Sequence, residues 1–432
     1  MQQKVECCGA SAGSFLIVPP TLCLIAAKVK TGLDFTAPIG SKLREHWAIT
    51  PLLQGVRYHY LCAMSKPRYT KLVESLPASV PFVGPETQER ARGGAFAARL
   101  GANESVFGPS PKAVEAMQAA ALDIWQYGDP TSFDLRAALA DHHAVTAENI
   151  VVGEGIDGLL GYLVRMMVAP DDKVVTSDGA YPTFNYHVTG YGGTLVKVPY
   201  TGDHEDPAAL VDAAAQENAK LIYLANPDNP MGTWHSSDVI EGIIAKVPDG
   251  CLLILDEAYI EFAPEGTAPK LDVENPKVIR MRTFSKGYGM AGARVGYALG
   301  ARELIGQFEK IRNHFGMNRA AQAGALAALG DQDWLAHVRD QVAQSRVTLA
   351  QIADENGLST LPSATNFVTI DCGRDGAFAK AVLDYLVDNG LFVRMPFVPP
   401  QNRCIRVSAG TPKNMELFRA LLPKALKAAS LN

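Results

Sequence analysis

Positive charge is in short supply, with 40 Lys and Arg against 45 Asp and Glu, a formal charge of −5 and no block of like charges. Without a basic field to gather a polyanion, nucleic acid is not an expected partner. Cysteine is scarce where it would matter. Of seven, Cys7, Cys8, Cys23 and Cys62 fall in the first stretch, leaving Cys251, Cys372 and Cys404 for the rest. That is no disulfide framework, and three separated thiols fit a reducing compartment, so a cytoplasmic protein with no metal site is expected. No apolar run is long enough to span a bilayer. The most apolar stretch, SFLIVPPTLCLIAA at 14–27, is short, is interrupted by Pro19 and Pro20, and follows Glu6 where a secretory leader would be basic. Internal repeats and low-complexity segments are also lacking.

What is present describes a globular chain. Hydrophobic residues make up 47% and charged residues 20% of 432 positions, enough to bury a large core and long enough for two domains. Met64 opens MSKPRYTKLVESLP, which reads as the start of a soluble protein, so residues 1–63 are expected to be upstream or disordered sequence outside the fold. An N-terminal arm is expected over 64–100, a large domain over 101–330, and a small domain over 331–432 that takes in part of the arm.

From about residue 100, short β-branched runs alternate with helical patterns, the mark of a largely parallel sheet covered by helices. Strands are predicted at 173–176, 195–198, 221–224, 252–255, 278–282 and 295–299. Beyond about 335 a smaller unit follows, with strand TNFVTIDC, helix AFAKAVLDYLVDNG, strand CIRVSAG and a last helix. That helix is expected to be capped by Thr411, to open on Pro412, and to bury Met415, Phe418, Leu421 and Leu422.

In open α/β sheets, ligands gather beyond the carboxyl ends of the strands. Three segments lie there at intervals of about thirty residues, as successive strand–helix units require: NPDNPMG (226–232), DEAY (256–259) and TFSK (283–286). Lys286 alone would read as a solvated charge, but beside a glycine-rich loop it is a candidate covalent amine. Asp256 closes an apolar strand, where a carboxylate needs a cation or strong donors. A protonated pyridine nitrogen would be such a cation. Tyr259 and Asn229, held in a turn stiffened by two prolines, could both address a phenolic oxygen of the same ring. Phosphate donors are available from the backbone of Gly155, Ile156 and Asp157 before an apolar helix, from Ser285 and from Arg294.

These motifs, in order and spacing, resemble those of fold-type I pyridoxal-phosphate (PLP) enzymes, and within them the histidinol-phosphate aminotransferases. The resemblance runs from about Arg99 to the C-terminus. It implies a mostly parallel seven-stranded sheet with a small C-terminal domain, and transamination by ping-pong kinetics between an amino donor and a 2-oxo acid. It assigns Lys286 the Schiff base, Asp256 the pyridine nitrogen, Asn229 and Tyr259 the O3′ oxygen, and Ser285, Arg294 and the backbone of 155–157 the phosphate. It further implies that Phe184 stacks on the ring and that Arg406 grips an α-carboxylate, with Asn103 near it. Arg394 would hold a substrate phosphate. Tyr127 would reach the cofactor phosphate of a partner subunit in a homodimer. One departure weakens the substrate assignment: Asn103-Glu-Ser-Val-Phe-Gly108 lacks the proline and tyrosine of the family's NEN-P-Y-G. Decarboxylation of a phosphorylated amino acid and transamination of aromatic amino acids stay open on the same scaffold. A ligand-sensing regulator is disfavoured, because the first hundred residues carry no helix-turn-helix pattern or basic stripe.

Overall fold

The computed structural model describes residues 67–78 and 83–431, and its elements fall within the unit Thr70–Asn432. The expectations for residues 1–63, including the start at Met64, lie outside the described residues.

After a two-residue strand β1 (Ala98–Arg99), seven strands form the main sheet: β2 (Ile150–Gly153), β3 (Lys173–Ser177), β4 (Thr194–Val198), β5 (Leu221–Ala225), β6 (Leu252–Asp256), β7 (Val278–Thr283) and β8 (Gly296–Leu299). Their order is β2-β8-β7-β6-β5-β3-β4. Only β8 runs against its neighbours; the pairings from β7 through β4 are parallel. β5 and β6 are buried at every position, so their sequences LIYLA and LLILD are nearly continuous apolar runs, as a sheet covered on both faces demands. One face packs Leu221, Tyr223, Leu252 and Ile254 against the helix Gly155–Met167. The opposite face packs Ile222, Leu224, Leu253 and Leu255 against the helices Pro207–Glu217 and Ser237–Ile244. All six predicted strands are present; β2 was absent from the sequence expectation because its four residues, IVVG, offer almost no periodicity.

The smaller C-terminal domain is built on an antiparallel sheet, β9 (Ser359–Thr360), β10 (Phe367–Asp371) and β12 (Cys404–Ser408), while β11 (Leu391–Phe392) pairs with β1. That pairing carries Ala98 and Leu100 into the core shared by β10, β12 and the last two helices. The last helix, Pro412–Ala429, has a complete capping box between Thr411 and Asn414, worth about 1 kcal/mol. It buries Met415, Phe418 and Leu422, with Leu421 at the edge of the core. Among the described residues no helix is long and apolar enough to cross a membrane.

Candidate active site

A cavity of about 360 Å³ opens where β5, β6 and β7 end. Parallel pairing places Ala225 opposite Asp256 and Asp256 opposite Met281, so the three post-strand segments lie side by side at one sheet edge. Asn103, Ile156, Asp157, Asn229, Asp256, Tyr259, Ser285, Lys286, Arg294 and Arg406 all line the cavity.

Lys286 is half-buried, with Nζ donating to the carbonyls of Asn103 at 3.1 Å and Ala102 at 3.5 Å. Burial first, then the neighbouring Arg406 guanidinium, lower its pKa to about 8, which brings an amine within reach of nucleophilic work near neutrality. Asp256 is buried; it accepts from Tyr223 Oη at 2.6 Å and from the Ala258 N–H at 3.0 Å, and burial raises its pKa to about 6. Such a carboxyl is poised to meet a cation in the cavity and to ionise fully when it does.

Tyr259 is organised from two sides. Asn103 Nδ2 donates to its oxygen at 3.0 Å and Asn229 Nδ2 at 3.3 Å. With both lone-pair directions taken, the phenolic hydrogen is left to point at an acceptor in the cavity. Asn103 is itself held by Ser408, whose Oγ donates to Asn103 Oδ1 at 2.9 Å, so it orients Tyr259 directly.

An anion site lies at the start of the helix Gly155–Met167. Its N-cap, Glu154, supplies no side-chain cap, so the first-turn N–H groups keep their capacity for an acceptor. Arg294 crosses this end, its Nη1 3.4 Å from Ser285 Oγ and its Nη2 3.5 Å from the Glu154 carbonyl. Both are long bonds, and Nη1 also donates to the Ala291 carbonyl at 3.2 Å, so the Nη2 donor is the more lightly engaged. Gly155 has φ +78°, and a Cβ there would collide with Arg294, so the close approach requires glycine.

On the facing wall, Arg406 is buried; Nη1 donates to Asn229 Oδ1 and Nη2 to the Gly101 carbonyl at 2.9 Å. Its Nε is buried without a partner, a donor held ready for an anionic ligand. A lysine amine, a buried carboxyl, a phenol with a directed hydrogen and a helix-end anion cradle together suit a phosphorylated pyridine aldehyde.

Three expected residues are placed elsewhere. Phe184 has no exposed surface and stacks on Tyr223 with ring centroids 4.8 Å apart, so it offers no face to the cavity. From the same segment Tyr181 lines the cavity instead. Tyr127 is 78% exposed, stacks on Phe315 at 4.8 Å, and does not line this chain's cavity. Arg394 faces Arg406 in an isolated antiparallel bridge, but its Nη2 donates to the Val83 carbonyl at 2.6 Å and its guanidinium lies over Phe392; it is held beside the cavity wall. Sequence reasoning missed Tyr181, Tyr223 and Thr283, which line the cavity too. For Tyr223 a signal existed. On a parallel strand beside β6, the residue two before the strand end shares a face with Asp256.

Comparison with known proteins agrees with this geometry. Residues 98–421 match the family described as aminotransferase class I and II. The chain is 32% identical to the histidinol-phosphate aminotransferase of Moorella thermoacetica over 360 residues, 82% of this chain and 92% of that one. It is 36% identical to histidinol-phosphate aminotransferase 2 of Pseudomonas aeruginosa over 333 residues, 76% of this chain and 89% of that one. Among solved structures it resembles the histidinol-phosphate aminotransferase of Sinorhizobium meliloti in complex with pyridoxal-5′-phosphate, at 50% identity and a TM-score of 0.82, covering 85% of this chain and 100% of that one.

Proposed function

The chain belongs to the class I and II aminotransferases, and on that footing we propose that it transfers the amino group of histidinol phosphate to 2-oxoglutarate in histidine biosynthesis. The enzyme is a PLP-dependent aminotransferase. The observation that carries the assignment is the convergence, around one cavity, of the Lys286 amine, the buried Asp256 carboxyl and the Arg294–Ser285–Gly155 cradle.

When bound, PLP supplies an aldehyde that bonds to amines and a ring that withdraws electrons from the substrate Cα. Ser285, Arg294 and the N–H groups at 155–157 hold the phosphate. Asp256 would hold a proton on the pyridine nitrogen, its carboxylate fixed by Tyr223. Tyr259 and Asn229 address O3′. Lys286 Nζ would be the base that takes the proton from the substrate Cα; its lowered pKa of about 8 makes a neutral amine available near neutral pH. Tyr181, which lines the cavity, would be the aromatic beside the ring.

Arg406 grips the α-carboxylate of glutamate and 2-oxoglutarate through its Nε and an Nη donor. Arg394, one bridge away, leaves the Val83 carbonyl to meet the phosphate of the donor. The large domain spans 101–330 and the small one 331–432 with part of the arm. The exposed Trp125, Tyr127 and Phe315 support a homodimer, and Tyr127 would reach the neighbouring copy's cofactor phosphate across it. The enzyme works in the cytoplasm.

Single-turnover mixing tests the substrate. Histidinol phosphate should bleach the visible absorbance of the lysine-bound cofactor and 2-oxoglutarate should restore it. Carbon dioxide release, or a response to aromatic amino acids with none to histidinol phosphate, would replace this reading with one of its rivals.

A further inference from the structure

Away from the cavity, two carboxyl groups are buried together beneath the turn that carries Asn229. Glu205 and Asp228 are each 2% exposed, and their side chains lie side by side and act on each other. Their other partners are neutral donors: Ser177 Oγ to Glu205 Oε2 at 2.5 Å, the Ala225 N–H to Glu205 Oε1 at 3.1 Å, Tyr200 Oη to Asp228 Oδ1 at 3.0 Å, and the Met231 N–H to Asp228 Oδ2 at 3.0 Å. Two carboxylates in contact, with no ion-pair partner among the described residues, cannot both ionise. The pair therefore keeps one proton. Burial first, then the charge of Asp228, pushes Glu205 well above the carboxylate range, and burial raises Asp228 as well.

The placement of the two N–H donors gives the pair a task. Ala225 ends β5 and Met231 lies near the end of the turn, so the bonds from Glu205 and Asp228 hold the chain on both sides of Asn229. That residue donates to Tyr259 and accepts from Arg406. We propose that Glu205 and Asp228 are positioning residues whose shared proton makes them one clamp, fixing the turn and with it Asn229 between Tyr259 and Arg406. The consequence for catalysis rests on reading Asn229 and Tyr259 as cofactor contacts; the shared proton does not.

Among the other titratable groups around the pair, two phenols and an imidazole are shifted by burial. Burial raises Tyr200 and Tyr223 well above the ordinary phenol range. His235, whose ring meets the Glu205 carbonyl at 2.9 Å and whose neighbours are His204 and Asp206, is lowered by burial. Arg406 stays charged. The sign of the pH effect follows: unfolded glutamate ionises near 4.5 while the folded pair keeps its proton, so this stability is full below that value and is lost as pH rises toward the folded pKa. Glu205→Gln donates an N–H to Asp228 with no proton to lose.

The test compares thermal midpoints of the full chain, loaded with cofactor, for the parent and Glu205→Gln from about pH 5 to about pH 9, together with kcat. The gap in favour of Glu205→Gln should widen as pH rises, and its neutral-pH kcat should stay within about twofold of the parent, whereas Glu205→Ala should lose more than about tenfold. A gap that does not change with pH overturns the shared proton, whatever reaction the protein catalyses. Glu205→Ala with the parent's kcat, or Glu205→Gln as impaired as Glu205→Ala, overturns the positioning role. If the Ala variant does not fold, the Gln series decides alone.

Discussion

The wall of the cavity supplied by the seven-stranded sheet consists of residues on a strand end or just beyond it: Asn229 after β5, Asp256 and Tyr259 at β6, Ser285 and Lys286 after β7. The wall facing it is assembled from distant stretches, Gly101–Glu104 following β1 and Arg406 on β12, with Arg394 alongside. On the first wall a side chain's position follows from its strand, and strands are set by local apolar pattern. On the second, position depends on how separate segments pack and on which carbonyl happens to accept a guanidinium. We assign the first wall to the cofactor and the second to the substrate, so damage to the two should look different.

The largest effect should come from the sheet wall. Lys286→Ala should lower kcat by on the order of 10⁴-fold or more and remove the visible absorbance of the bound cofactor; a retained signal would mean that another amine does this work. Asp256→Ala should keep the cofactor bound while slowing both half-reactions about 10²- to 10³-fold, measured by stopped-flow absorbance. A near-normal rate would put the pyridine nitrogen elsewhere.

Damage to the facing wall should be selective. Arg406→Ala should weaken the glutamate half-reaction by roughly 2–5 kcal/mol, because a buried carboxylate loses its paired donor, with less effect on histidinol phosphate, which has no α-carboxylate. Arg394→Ala should raise the KM of a phosphorylated donor about tenfold, ~1.4 kcal/mol, while sparing an unphosphorylated analogue. Equal losses with both donors would remove Arg394 from the substrate site. The smallest effect joins the walls. Arg406 helps depress Lys286, so the pH midpoint for cofactor capture by the stripped protein, expected near 8, should move upward in Arg406→Ala; an unmoved midpoint would show that burial alone sets it.

The same contrast explains what could be read from the sequence. The six predicted strands and the convergence of NPDNPMG, DEAY and TFSK needed only apolar runs and regular spacing. Phe184 and Tyr181, three residues apart, could not be separated, because which ring enters the cavity depends on Phe184 fitting against Tyr223 within the core. Arg394 carried no sequence sign of Val83, 311 positions earlier. Asn103 was expected at the substrate, yet its amide is committed to Tyr259 by a hydrogen bond from Ser408, 305 residues away. Tyr127, exposed on this chain, takes its proposed role only from a second copy.

Whether Lys286 holds the cofactor can be settled by reducing the loaded enzyme with borohydride and mapping its peptides. The cofactor's mass should appear on the single peptide containing Lys286, and should be lost when histidinol phosphate is added before the reductant. A label on any other lysine would contradict the Schiff-base assignment, and a label that stays on Lys286 when the donor is added would contradict the substrate.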